Sequence, residues 1–220
     1  MKRIPEPELM DAPAQARAYA EADFSEPNAL FVERFLDLIG SPESVSVLDL
    51  GCGPGDICIR LAQARSGWII VGLDAGPNML ALAEQAVANA GLESVIELIL
   101  ARLPRELPAG HFDAIISNSL LHHLPDPQSL WRSIRELAEP GCVVQVMDLM
   151  RPDSAAAVSD IVRTHAAAAP EVLRKDFHNS LRAAYTPGEV REQIHQAGLD
   201  GLSITIPTDR HWLVQGRVGR

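Results

Sequence analysis

The chain has 220 residues, 47% of them hydrophobic and 22% charged, proportions that suit a globular protein with one sizeable core. A formal net charge of −10 argues against a nucleic-acid partner, because the scattered Arg163, Arg174, Lys175 and Arg182 make no basic stripe. No window reaches the roughly 18 uninterrupted apolar residues of a membrane helix. The opening MKRIPEPELMD has no apolar core of a secretory signal, so no membrane association and a cytoplasmic location are expected.

From the N-terminus, the stretch from Asp11 to Ile39 has helical character and carries the aromatics Tyr19, Phe24, Phe31 and Phe35. Five short runs rich in Val, Ile and Leu follow: Val45–Leu50, Trp68–Leu73, Val95–Leu100, Phe112–Ser117 and Val143–Leu149. None alternates with polar residues, the pattern of strands buried on both faces. Between them the amphipathic segments Asp56–Arg65, Pro77–Ala90 and Gln128–Ala138 have helix length. This alternation predicts a doubly wound α/β fold with helices on both faces of a parallel sheet. Gly91 is expected to cap the second of these helices, Pro140-Gly141 to close the third, and Pro77 to sit in a first helical turn.

The alanine-rich part from Arg151 to Gly198 predicts two or three helices inserted into that pattern. The last is opened by Thr186 and Glu189 at capping-box spacing, with Pro187 at its first position. Leu202–Pro207 and Trp212–Val218, joined by Thr208-Asp209-Arg210, predict a terminal antiparallel hairpin. One domain spanning residues 1–220 is expected, with a helical cap over 11–39 and a helical lid over 151–198. Cys52, Cys58 and Cys142 lack metal-ligand or disulfide spacing and are taken as small, semi-buried hydrophobes.

The stretch Val45 to Asp56, VSVLDLGCGPGD, drives the first strand into a glycine loop, where open α/β sheets bind ligands. Glycines there let backbone N–H groups approach a ligand closely. The spacing is G-x-G-x-G, and Asp56 stands where a dinucleotide loop has its third glycine. No Gly-Lys-Ser/Thr follows, so a nucleoside-triphosphate loop is excluded as well. Asp49 and Asp56 flank the loop, favouring a cationic ligand over a phosphate.

Asp49-Leu50-Gly51-Cys52-Gly53-Pro54-Gly55 resembles the first motif of class I S-adenosylmethionine-dependent methyltransferases. Four further stretches resemble that family in order. They are Asp74 within VGLDAGPNML, Phe112–Asn118, Leu121-His122-His123-Leu124-Pro125-Asp126-Pro127, and Leu137–Cys142. The resemblance implies a Rossmann-like seven-stranded sheet, mostly parallel with an antiparallel C-terminal hairpin. It implies S-adenosylmethionine as cofactor and S-adenosylhomocysteine as product, held by Asp49, Gly51, Cys52, Gly53, Gly55, Asp74, Ala75, Met79 and Asn118. Asp74 is expected to accept the ribose hydroxyls. The family often has an acid after the third strand to hold the adenine amino group. Here Ile99–Arg105 has none, leaving Arg102, a backbone carbonyl or packing to replace that contact.

Methyl transfer by direct displacement needs proximity, exclusion of water and removal of any acceptor proton. It needs no metal, and no metal site is expected. His122 and His123 are the candidates for a general base, with packing at a helix start as the competing role. The acceptor pocket is expected to draw on Tyr19, Phe24, His178, Asn179 and Tyr185. The function expected is methylation of a small-molecule acceptor by a monomer or homodimer. The alternative is a protein that binds S-adenosylmethionine or its product without methyl transfer.

Overall fold

In the computed structural model, which describes residues 1–6, 9 and 11–219, the apolar runs pair into one sheet. Strands β1 (Ser46–Leu50), β2 (Ile69–Asp74), β3 (Ile96–Leu100), β4 (Phe112–Asn118) and β5 (Ala138–Leu149) run parallel. Strands β6 (Leu202–Thr205) and β7 (His211–Arg217) form the expected hairpin, β7 lying antiparallel to β5. The order is β3-β2-β1-β4-β5-β7-β6. Chain direction diverges between β1 and β4, so a crevice opens beyond their carboxyl ends.

Eight helices are described: α1 (Pro13–Glu21), α2 (Ser25–Ile39), α3 (Asp56–Ala64), α4 (Pro77–Ala90), α5 (Gln128–Leu137), α6 (Ala155–His165), α7 (Glu171–Ala183) and α8 (Pro187–Gln196). Alternation along β1 sends Leu48 and Leu50 to the face covered by Trp131 and Ile134 of α5 and by Val190 and Ile194 of α8. It sends Val47 to the other face, against Phe31 and Phe35 of α2, Leu61 of α3 and Val87 of α4. Trp131 is wholly buried, and its indole N–H donates to Gln193 Oε1 at 3.0 Å. Removing a side chain of that size from water contributes about 4–6 kcal/mol before entropy is counted.

Local chemistry sets most boundaries where the sequence predicts them. Gly91 caps α4 in the left-handed region, Pro77 opens it, and Thr186 and Glu189 form a complete capping box on α8. The end of α5 differs from expectation. The helix stops at Leu137, and Pro140-Gly141 lies inside β5. Ala138 already pairs with Phe112 before the register shifts to Ala114 and Val143, and Gly141 takes φ +91° in that irregular stretch. A proline is tolerated there because a broken ladder needs no N–H from it.

The first residues run as a strap over the carboxyl end of the sheet. The Met1 ammonium donates to Asp153 O at 2.9 Å, and Ile4 N–H donates to Arg182 O at 3.0 Å. Arg3 donates to Ala183 O at 2.5 Å and to His122 O at 2.9 Å, joining α7 to the 3-10 turn Leu121–His123.

Candidate active site

β1 ends at Leu50, and the loop after it folds back on β2. The N–H groups of Gly51 and Cys52 both donate to Leu73 O, at 2.7 and 3.0 Å. Gly55 then caps α3 at φ +83°, and a Cβ there would lie 3.2 Å from Ala83 Cβ of α4, so the loop is seated on that helix. Gly53 is different. It takes φ +54° with nothing within 4 Å of a Cβ position, because it faces open cleft.

Asp74, the last residue of β2, ties the loop down. Its Oδ2 accepts Gly53 N–H at 2.9 Å and its Oδ1 accepts Gly76 N–H at 2.7 Å. Burial raises its pKa against the lowering effect of those two N–H groups. Each oxygen keeps a second acceptor site for a ligand hydroxyl. Asp49 lies one strand away, 1% exposed, and accepts the Cys58 S–H at 3.3 Å. Burial pushes its carboxyl up to about 7. All three cysteines are free, as expected, and buried rather than semi-buried.

Two compartments of about 100 and 200 Å³ meet at Tyr19, Gly51, Gly53 and Asn118. The first is an apolar slot beside Asp74, walled by Leu73, Ala75, Met79, Ala101, Leu103 and Leu120, with Leu9 and His123 also lining it. The second holds the polar groups of Asp49, Asn28, Asp56 and Arg60, with Cys52 and Phe24. Asn118 closes β4 between them. Its Oδ1 is buried and has no hydrogen-bond partner, an arrangement that costs about 1–3 kcal/mol unless a ligand donates to it.

The two histidines separate clearly. His122 is 3% exposed and locked to β5: its Nδ1 is 2.5 Å from Asp148 Oδ1, and its backbone N–H donates to Asp148 Oδ2 at 3.0 Å. Burial works to lower the imidazole pKa, but the Asp148 carboxylate, helped by Glu6, raises it overall. The same contact holds the Asp148 carboxyl low in spite of its burial. His123 lines the apolar compartment. Glu6 of the N-terminal strap stands between them, its Oε1 3.5 Å from His122 Nε2 and 3.2 Å from His123 Nδ1. That carboxyl accepts the Ser180 hydroxyl at 3.0 Å, and burial raises its pKa.

Among the acceptor-pocket candidates, Tyr19 and Phe24 stack at 4.8 Å between ring centroids over the cleft. The Tyr19 phenol is pushed up to about 12 by burial and by the Asp148, Asp74 and Asp56 charges, so it stays a donor. His178 and Asn179 are half-buried on α7 and line neither compartment. Tyr185 is buried outside the cleft, with the Arg3 guanidinium 4.1 Å from its ring centre and its hydroxyl 3.5 Å from Leu124 O. After β3 the chain offers the buried side chains of Ala101 and Leu103 as walls, while Arg102 is exposed at the rim.

Sequence reasoning missed the strap's contribution. Asp11 Oδ1 accepts the N–H groups of Asn78 and Met79 at 2.9 and 3.1 Å, anchoring the strap on the first turn of α4. Leu9 enters the cleft, and Glu6 reaches the histidines. No periodicity marks these residues, because their partners lie on other elements.

A glycine loop at the switch point of this sheet, with an acid closing β2 and a cleft that is apolar at one end and carboxylate-lined at the other, defines a class I methyltransferase architecture. The chain matches the family model described as a methyltransferase domain over residues 42–198, and it belongs to that family. It is 29% identical over 177 residues to the ubiquinone biosynthesis O-methyltransferase of Acinetobacter baumannii (strain ACICU), covering 76% of this chain and 70% of that one. A structure of a putative S-adenosylmethionine-dependent methyltransferase from Methanococcus maripaludis superimposes with a TM-score of 0.74 at 17% identity, covering 100% of this chain and 98% of that one. An N-methyltransferase from Haemonchus contortus, bound to phosphomonomethylethanolamine and S-adenosylhomocysteine, superimposes with a TM-score of 0.71 at 15% identity, covering 94% of this chain and 57% of that one. The protein is a methyltransferase. No described helix is long and apolar enough to cross a membrane.

Proposed function

We propose that the protein methylates a small-molecule acceptor by direct displacement, holding S-adenosylmethionine across the two compartments. The observation that carries this reading is Asn118: a buried, unpartnered carbonyl oxygen where the compartments meet calls for a ligand donor. The residues fit the cofactor on both sides of it. Asp74 offers acceptors for vicinal hydroxyls, and Leu73, Ala75, Met79, Ala101 and Leu103 suit the faces of a purine without an acid to read its amino group. Cys52, the Gly51–Gly55 backbone and Asp49 suit a zwitterionic amino acid, Asp49 matching its ammonium.

When bound, the cofactor supplies an electrophilic methyl group. The chain's task is to place the acceptor in line, exclude water and receive or neutralise its proton. Tyr19, Phe24 and Leu9 cover the cleft, and His123 is the imidazole at its wall. Residues 11–39 thus act as a cap. The helical insert 151–198 acts at one remove: Ser180 and Arg182 of α7 hold the strap that enters the cleft. The name of the Acinetobacter relative makes an oxygen acceptor the class to test first.

Calorimetry with S-adenosylmethionine, S-adenosylhomocysteine and NADH, followed by turnover on a panel of hydroxylated and amine acceptors, tests the reading. Binding of both adenosyl ligands, rejection of NADH, and product formation with small hydroxylated acceptors are expected. Tight adenosyl binding with turnover only on a macromolecular acceptor would refute the small-molecule assignment.

A further inference from the structure

We propose that Glu6, His122 and His123 form a binding site for a divalent transition cation of the zinc class at the edge of the cleft. The donor atoms of the three side chains lie within 4.8 Å of one another. Glu6 Oε1 is 3.2 Å from His123 Nδ1 and 3.5 Å from His122 Nε2. Zinc ligands at about 2.0–2.2 Å in a tetrahedron stand roughly 3.3–3.5 Å from one another, so the two separations from Glu6 are close to its edges, and the pair of histidine nitrogens lies within 4.8 Å. Two imidazoles and one carboxylate, the three donors found together among the described residues, form a donor set that selects zinc or its neighbours over magnesium or calcium.

A second, independent feature points the same way. Metal-bound histidines give their other ring N–H to a carboxylate, which fixes the tautomer and directs the remaining lone pair at the metal. Asp148 Oδ1 holds His122 Nδ1 at 2.5 Å, leaving Nε2 on the side of Glu6. The Ser180 hydroxyl donates at 3.0 Å to the same Glu6 oxygen, Oε1, that faces both histidines, and so orients it. The surroundings favour a cation. Asp148 and Asp176 add negative charge around Glu6, while Arg3 opposes it at His122. The side chains of His122, His123 and Glu6 are only 3%, 13% and 11% exposed, so the site is sheltered yet borders the cleft through His123. The site therefore lies beside the space assigned to the acceptor, and in that respect the inference rests on the proposed function.

The test is zinc titration of chelator-treated protein by calorimetry, with the cobalt(II) absorption spectrum recorded in parallel. Wild type is expected to bind one equivalent at micromolar Kd or tighter and to give the intense visible bands of tetrahedral cobalt. Asp148→Asn should weaken binding by about 10–100-fold, and Glu6→Gln and His123→Ala by at least as much. His195→Ala, which touches only an exposed pair with Asp200, should leave binding unchanged. Absence of saturable binding by wild type, a weak six-coordinate cobalt spectrum, or unchanged affinity in a folded Glu6→Gln would each overturn the site. If Glu6→Gln does not fold, the wild-type spectrum and His123→Ala decide. Titration of the same samples with S-adenosylhomocysteine separates the two ideas, because its failure counts against the methyltransfer reading and leaves the cation result standing.

Discussion

Asp49 offers the sharpest quantitative test of how the glycine loop is built. Its carboxyl is raised from 3.8 to about 7 because it is buried inside the β1–α3 contact, with the Asp74 charge adding to the rise and the Cys58 thiol opposing it. Between those two pH values the native chain keeps a proton that the unfolded chain has lost. Stability therefore falls as pH rises through this window, and the loss is complete above the native pKa. At about 1.4 kcal/mol per unit, the full penalty is about 4 kcal/mol. Between about pH 5 and about pH 8 the share lost is about 2–3 kcal/mol. Asp49→Asn keeps an acceptor for Cys58 and removes the titration. Urea unfolding of both proteins across this range should show the variant gaining about 2–3 kcal/mol on wild type towards high pH. In thermal scans that is about 5–10 °C for a chain of this size. The variant should also bind S-adenosylmethionine more weakly, since a neutral amide cannot match the ammonium. Parallel pH profiles for the two proteins would refute the buried-carboxylate reasoning.

Asn118→Ala should leave the melting temperature of the ligand-free chain unchanged or raised, because it removes an unpaired buried carbonyl oxygen. It should weaken S-adenosylhomocysteine by about 10–100-fold in calorimetry, as expected for a lost hydrogen bond to a charged group. Gly53→Ala introduces a methyl into open cleft at φ +54°. Chemical denaturation should report a cost of about 1–2 kcal/mol, while the Kd for S-adenosylmethionine rises at least about tenfold. His211 moves in the opposite direction to Asp49 with pH. Burial, with Arg210 beside it, holds its imidazole down at about 4 from 6.5. The unfolded chain therefore takes up a proton in this window that the native chain refuses, and stability falls as pH drops from 6.5 towards 4, by up to about 3 kcal/mol. His211→Gln should flatten that acid limb of the urea-unfolding profile.

The sheet and its ligand loop were legible because their signals are local. Buried strands read as unbroken Val/Ile/Leu runs, and helix ends carry their own caps, as at Pro77, Gly91 and the Thr186–Glu189 box. The exception at Pro140-Gly141 shows the limit. The same two residues that end a helix in isolation are accommodated inside β5 once Phe112 offers Ala138 a partner. The acceptor side was less legible for the same reason. The polar residues of α7 stood out against an alanine-rich background, yet a helix has two faces, and the neighbour decides which one meets a cavity. Asp176 is taken by Gln15 at 2.9 Å, Ser180 by Glu6, and Tyr185 by Arg3.

The strap links these observations into one physical claim. A short N-terminal segment with no hydrophobic period of its own reaches the 3-10 turn, α7 and the first turn of α4 through Arg3, Glu6 and Asp11. Of its described residues Met1 alone packs against a core cluster, so the position of the others rests mainly on hydrogen bonds and charge, each worth about 0.5–3 kcal/mol. Such a segment can detach without unfolding the sheet beneath it, since local opening draws on the regions with fewest buried apolar contacts. Leu9 lies on that segment and in the cleft. The contacts that bring Glu6 to the histidines thus belong to the same N-terminal stretch that carries Leu9 to the cleft, and the proposed cation would tie that stretch to the 3-10 turn.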